Sequence, residues 1–565
     1  MPTKRVSAWM AETDPKYARA WLATLPLADS AESAREIYQA LYTLNRQELD
    51  AACRFELMEL YTRPIATVTA ALEPYFARAA LPLTPKKRQL AEFIRQLHME
   101  MAYGYKGCLQ DFEKQRLRWT KKSLRITSLE RALHYLGEVL LHSYQVYMPF
   151  PTSTWREIHA IYRYAAEQNM TAEVIDAPPP ETGKTTLAHD YVRILLLGLS
   201  NPYQLPQNEC RYVQRFLQHW GAKAVLRNNL EPPHPGGHFL LDLSSDSAPV
   251  PFPREPRFKP EQDLRLLDAS ELLQTVQFFI QRLKNGDRAR SLSLGIDCLD
   301  SVCLEMLQRM LKSWGLTPRR QYSRIQRSGP VFLCAGLSAI HFFCSGQKPF
   351  MPPEANRREL SDEKFILPTH IEQDIAREAD NQDEEFIALD EPVEKESPRP
   401  AVTAESYKVS GEMMHIDRWQ IKDTAPRGLQ LIRRGGSHTY LRVGDVVGVQ
   451  QMDDVGRWGA GVVRWMKSPE TDKLEMGVEL LSSNIHAAAV ALARGATREY
   501  KPVLILPAIE ALHQPATLLV ARGLFTTGND LWLAEEAADI RIVRLLQRFE
   551  HTSMFELFVF ADVLT

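Results

Sequence analysis

The chain has 565 residues, several times the size of an ordinary domain, so two to four domains are expected and core size is no constraint. Its 68 Lys plus Arg nearly balance 70 Asp plus Glu, which excludes a global field drawing it onto nucleic acid or an anionic membrane and leaves any anion site local. The seven cysteines are scattered and none forms a C-x-x-C pair, so reduced thiols in a cytoplasmic protein are expected, without a disulfide or zinc framework.

The opening stretch, MPTKRVSAWMAETDPKYARAW, carries charges where a secretory signal needs an apolar run. From about residue 15 to 220, within a helical domain expected over 1–220, apolar side chains recur at helical spacing, as in Ile37, Leu41, Leu44, then Ile94, Leu97, Met101, then Leu133, Leu136, Leu140. Each stripe must bury against another, and the Pro-containing breaks LPLTPKK, MPFPTST, APPPETG and NPYQLPQ divide them into hairpins, so an all-α N-terminal helical array is predicted. No clean 34-residue repeat signature runs through it. The most apolar run, Tyr191 to Leu199, is far shorter than the roughly twenty residues that cross a bilayer, so no membrane span is expected.

Residues 221–317 read as a mixed α/β segment. AKAVLRN and GHFLLDL have strand character, whereas Leu272 to Leu283 and Leu304 to Leu311 resume helical spacing. Residues 347–412 are rich in Asp, Glu, Pro and Arg and poor in aromatics, a composition that cannot repay its ordering entropy, and an acidic disordered insertion is predicted there. Short runs of branched and aromatic residues between Gly and Asp turns then follow: DRWQIKD, GLQLIR, DVVGVQQ, AGVVRWM and LEMGVELL. They predict a small antiparallel barrel or sandwich. Residues 497–565 form a β-rich extension, interrupted by IRIVRLLQRF, which reads as a helix.

Two short patterns carry the functional expectation. Arg320 to Arg324 reads R-x-x-x-R, directly before the strand-like run PVFLCAGLSAIHFF, and in WQIKDTAPRGLQL the residues Asp423, Ala425 and Gly428 occupy the spacing of [DN]-x-S-x-x-G. A guanidinium fork meets a phosphate with two parallel hydrogen bonds and offers a flat cation to a purine face, so paired arginines suit a dianionic dinucleotide. Asp423 has the acceptors that guanine N1 and N2 need, although Asp is also a turn former; Gly428 supplies either a backbone conformation closed to other residues or close approach for a ligand.

These residues resemble the PilZ family, over 318–346 and 413–490, which would make a PilZ-like barrel interrupted by the acidic insertion. The resemblance implies cyclic di-GMP as ligand and Arg320, Arg324, Asp423 and Gly428 as binding residues. Ala425 stands where the family has Ser, Pro426 removes a backbone donor beside it, and 98 residues separate Arg324 from Asp423 where the family has a few tens. Loop-closure entropy grows slowly enough with length to accommodate that excess.

Other signals are set aside. ETGKTT lacks the upstream glycine of a phosphate-binding loop, Pro178 standing in its place, and reads as a helix start; His234 and His238 around Gly-Gly read as a surface loop; Cys298 and Cys303 read as buried apolar groups. No catalytic residue, metal ligand or cofactor is predicted. The sequence thus describes a signalling protein whose barrel reads cyclic di-GMP and regulates engagement of a protein partner by the helical region, with a ligand-free scaffold as the alternative.

Overall fold

The structure is a computed structural model describing residues 11–114, 122–232, 236–253, 262–315, 325–353, 405–409, 412–435, 439–451, 456–494, 498–509, 514–535 and 539–563. Its contacts divide it into two units, one built from the chain up to residue 319 apart from 80–82, and one built from 80–82 and most of the remainder.

The first unit opens with α1 (Pro15–Leu22), α2 (Ser30–Leu44), α3 (Ala51–Leu72) and α4 (Pro74–Ala77). Asp14, Asp29 and Asp50 each accept first-turn N–H groups through their carboxylates, which is why α1, α2 and α3 begin where they do. The long helices α5 (Pro85–Lys114) and α6 (Lys122–Gln145) pack against each other, and α7 (Thr154–Glu167) follows. The three apolar stripes named above are buried, as 3.6-residue periodicity requires.

A small hairpin of β1 (Val174–Asp176) and β2 (Lys184–Thr186) precedes α8 (Leu187–Leu199), whose apolar run is buried. The ETGKTT segment does lead into a helix, with the Thr186 hydroxyl accepting from His189 N–H as its N-cap. After α9 (Glu209–Trp220) come β3 (Val225–Arg227), β4 (His238–Asp242), β5 (Val250–Pro251) and β6 (Leu264–Asp268) in the order β3-β6-β4-β5, then α10 (Ser270–Lys284) and α11 (Asp300–Trp314). His238 is a buried strand residue 3.5 Å from Asp268, its register partner on β6, not a loop residue. His234 lies outside the described residues. The structure joins Cys298 to Cys303 in a disulfide, against the expectation of free thiols, because the five-residue offset into the start of α11 brings the two Cα atoms to 5.9 Å.

The second unit holds two antiparallel barrels. Its first strand is β7 (Gly329–Ala335), and the apolar run after it is a helix, α12 (Leu337–Cys344), rather than more strand. Gly336, at φ 84°, breaks the extended chain between them, and α12 is buried over the barrel. The remaining strands are β8 (Glu405–Val409), β9 (Glu412–Ala425), β10 (Gly428–Arg434), β11 (Val446–Gln451), β12 (Gly459–Glu470) and β13 (Lys473–Ser482). They close in the order β7-β9-β10-β13-β12-β11, with β8 added outside β9. Residues 405–409 therefore form a strand within the segment expected to be disordered, where Ser406, Tyr407 and Val409 supply β propensity that the acidic stretch before them lacks.

The second barrel comprises β14 (His486–Leu492), β15 (Lys501–Leu506), β16 (Thr517–Ala521), β17 (Asp530–Glu535), β18 (Arg541–His551) and β19 (Phe555–Asp562), closed in the order β14-β15-β16-β19-β18-β17. IRIVRLLQRF is β18, not a helix. Its buried residues Val543 and Leu545 alternate with exposed Arg544 and Leu546, a period of two that wins over helical spacing once β17 and β19 offer partners. Closure removes the exposed edges that six short strands would otherwise present. Val446 and Val462 of the first barrel share a core cluster with Leu504, Leu519 and Phe555 of the second.

Candidate functional site on the outer face of the first barrel

The second sequence pattern spans a tight hairpin. β9 ends at Ala425, Pro426 and Arg427 make the turn, and β10 starts at Gly428; Gly428 pairs with Ala425, Leu429 with Thr424 and Gln430 with Asp423. Pro426 occupies the turn itself, so its missing N–H costs the ladder nothing. Leu429 and Leu431 are buried, and residues in register share a face, so Asp423, Ala425, Gly428 and Gln430 lie together on the opposite, outward side. All four are partly exposed.

Arg320 and Arg324 lie outside the described residues. The residue that follows Arg324 is described, and its partner is informative. Ile325 donates its N–H to Thr424 O at 2.8 Å and accepts from Thr424 N–H at 2.9 Å, an isolated antiparallel bridge ahead of the β7–β9 ladder. The chain leaving the first pattern is thereby pinned to the residue between Asp423 and Ala425 of the second, so the strand order itself cancels a separation of 98 residues in sequence.

Gly428 does not have a left-handed backbone, which removes conformation as the reason for glycine there. Among the described residues, a Cβ at that position would meet Ala425 Cβ at 3.8 Å and Val478 O at 3.9 Å, ordinary van der Waals separations. Among those residues neither backbone nor packing needs a glycine, which leaves space for a group approaching from outside the barrel.

Trp465 was not singled out by sequence reasoning. The row Asp423–Gln430–Gly477–Trp465 runs in register across β9, β10, β13 and β12, and the indole lies over Gly477, where a Cβ would come within 1.9 Å of its Nε1. A partly exposed aromatic ring thus borders the face that carries Asp423 and Gly428. The one sequence signal for it is the small residue in LEMGVELL, a glycine inside a strand that marks close approach of another group. In the neighbouring row Glu479, opposite Gly428, accepts from Arg464 at 2.7 Å, and Arg464 also reaches Glu550 of the second barrel. With its charge spent on two carboxylates, which hold its pKa up against burial, Arg464 is committed to fastening the barrels together.

Beneath this face a buried ion pair locks the hairpin. Arg433 Nη1 donates to Asp417 Oδ2 at 2.9 Å, and Thr439 N–H donates to the same oxygen at 3.1 Å. Burial pushes the Arg433 guanidinium down from its ordinary pKa, with Asp417 opposing that shift.

Three consecutive family models match this chain: the N-terminal domain of the cyclic-di-GMP receptor FimW over residues 16–232, its middle PilZ domain over 238–486, and its C-terminal beta-barrel domain over 486–563. Residues 238–486 are thus a PilZ domain. A relative described as cyclic-di-GMP receptor FimW, from Pseudomonas aeruginosa, is 26% identical over 563 residues, covering 97% of this chain and 90% of the relative. No solved structure matches it. The PilZ resemblance read from Arg320, Arg324, Asp423 and Gly428 is therefore shown at the level of the family, and the C-terminal β-rich stretch is a barrel domain of its own. Among the described residues no helix is long and apolar enough to cross a membrane.

Proposed function

We propose that this chain is a cyclic-di-GMP receptor that holds its ligand on the outward face of the β9–β10 hairpin. The observation that supports this most is the bridge from Ile325 to Thr424, which tethers the residue after Arg324 beside Asp423 and Ala425. Arg320 and Arg324 would grip the two phosphates and cover a guanine face, Asp423 would accept from a guanine edge, and Gly428 would leave room for the base. The Trp465 ring at the border of the same face offers the flat apolar surface on which a purine stacks. The name of the Pseudomonas aeruginosa relative points to the same ligand.

On this reading the ligand regulates how the helical unit engages a protein partner, and the barrel performs no chemistry. Ala425 favours a second reading: without the Ser hydroxyl the face has one donor fewer, as in a barrel that has lost its ligand and serves as a scaffold.

Calorimetric titration of the full chain separates the two. Cyclic di-GMP is expected to bind and GTP not to, and Arg320→Ala or Arg324→Ala to weaken binding by roughly ten- to a hundredfold, since a hydrogen bond to a charged group contributes about 1.5–3 kcal/mol. Arg→Lys does not restore affinity, because an ammonium lacks the fork and the stacking face. A wild type that shows no heat at about a hundred micromolar ligand makes the scaffold reading the correct one.

A further inference from the structure

Between α5 and α6, in the helical unit, three buried side chains converge: His98 from α5, and Glu138 and His142 one turn apart on α6. One donor atom of each lies within 4.8 Å of the others, and among the described residues this is the one such group of three. The imidazoles stand 4.8 Å apart between ring centres. The surrounding hydrogen bonds determine which ring nitrogens are free. Gln145 donates its amide to Glu73 Oε1 at 2.6 Å, so its carbonyl oxygen faces His142 Nδ1 at 3.0 Å and only an Nδ1–H fits there. His98 Nδ1 lies 2.8 Å from Ile94 O, a carbonyl that can only accept, so it too carries the proton.

With both Nδ1 atoms protonated, each neutral ring has a lone pair on Nε2. His142 Nε2 is buried with no hydrogen-bond partner, and it faces Glu138 Oε2 at 3.7 Å, acceptor against acceptor and beyond hydrogen-bond reach. Arg211 is shared by two carboxylates, donating to both oxygens of Glu73 and, at 3.2 Å, to Glu138 Oε2, while Gln214 donates to Glu138 Oε1. The buried Glu138 carboxylate therefore has no guanidinium to itself.

We propose that His98, Glu138 and His142 form a divalent metal site of the zinc class that staples α5 to α6. Two imidazoles and one carboxylate are the donor set that zinc accepts in sites with an open fourth position, and ligand distances of about 2.0–2.2 Å need the three donors to draw in by about 1 Å. The Ile94 carbonyl and the Gln145 amide already hold each ring by its other nitrogen, the outer support that fixes tautomer and direction in metal-binding histidines. Sequence reasoning expected no metal, since the ligands come from helices some forty residues apart and show no short cluster. The signal available was His134-x-x-x-Glu138-x-x-x-His142, a repeat of four that lines one face of α6.

The test uses the full chain, stripped with a chelator and titrated with Zn²⁺ against a chromophoric competitor, and with Co²⁺ by visible absorption. One equivalent per chain is expected, bound below micromolar, with a rise in Tm and Co²⁺ bands of a low-coordinate site. His98→Gln and His142→Gln, each checked for native circular dichroism, should weaken Zn²⁺ at least tenfold and abolish the Tm rise. A wild type that takes up no stoichiometric Zn²⁺ overturns the proposal whatever the variants do. Uptake that folded variants retain unchanged overturns it as well, by placing the ion elsewhere.

Discussion

At the scale of single residues, glycine and carboxylate chemistry separate what is structural from what is poised for a ligand. Gly428 has room for a methyl group and no backbone need for glycine, so Gly428→Ala should leave Tm unchanged or slightly raised while weakening cyclic di-GMP. A fall in Tm with affinity intact would make the glycine a packing residue. In the helical unit, Glu130 is fully buried, and burial together with nearby Asp190 pushes its carboxyl well above the ordinary range in spite of Arg131. A raised folded-state pKa means that the folded form holds the proton more tightly, so the stability from this group is complete at acid pH and is lost as pH climbs through the raised pKa. Glu130→Gln, which mimics the neutral acid, should therefore gain Tm relative to wild type as pH goes from 5 to 9. A constant difference across that range would show that Glu130 is ionised throughout. The sequence offered close approach as one of two readings of Gly428 but nothing on Glu130, which there is one acidic residue on an amphipathic helix; which groups share a desolvated seam depends on helices and strands that meet only in three dimensions.

At the scale of elements, the stripes of α2, α5 and α6 and the branched runs of β9 to β13 could be read directly, because burial on one face imposes periods of 3.6 and 2 on the chain. The misreadings occur where local pattern is neutral. Leu337 to Cys344 is apolar on all sides and fits strand or helix, and Gly336 decided it; Arg541 to His551 satisfies both periods until partner strands are present. The hairpin that carries the candidate site depends on one interaction absent from any motif, the pair between Asp417 on β9 and Arg433 on β10, both almost inaccessible to water. Asp417→Ala should cost about 3–5 kcal/mol in urea unfolding, because it takes the carboxylate away from a desolvated guanidinium. Replacing both residues by Leu should recover much of that loss. If Asp417→Ala costs under about 1 kcal/mol, the pair is not what locks the hairpin.

At the scale of the whole molecule, the order of strands explains how a site divided in sequence is joined in space. The first barrel takes β7 from before the acidic stretch and its other strands from after it, and places β7 next to β9, so the chain just past Arg324 meets Thr424. Most of the acidic stretch, 354–404, lies outside the described residues, but pairing across more than ninety residues shows that its two flanks belong to one face. The closure of the C-terminal strands into a second barrel was equally out of reach, since β14 with β17 and β16 with β19 are non-local pairs that leave no mark on local pattern. Hydrogen exchange along the full chain, with and without cyclic di-GMP, shows whether the two patterns hold one ligand between them. Slower exchange is expected together in two stretches, 318–327 and 420–432, with Arg324→Ala abolishing the effect in both. Protection confined to one of these stretches, or found only elsewhere in the chain, would mean that no ligand is shared between the two patterns.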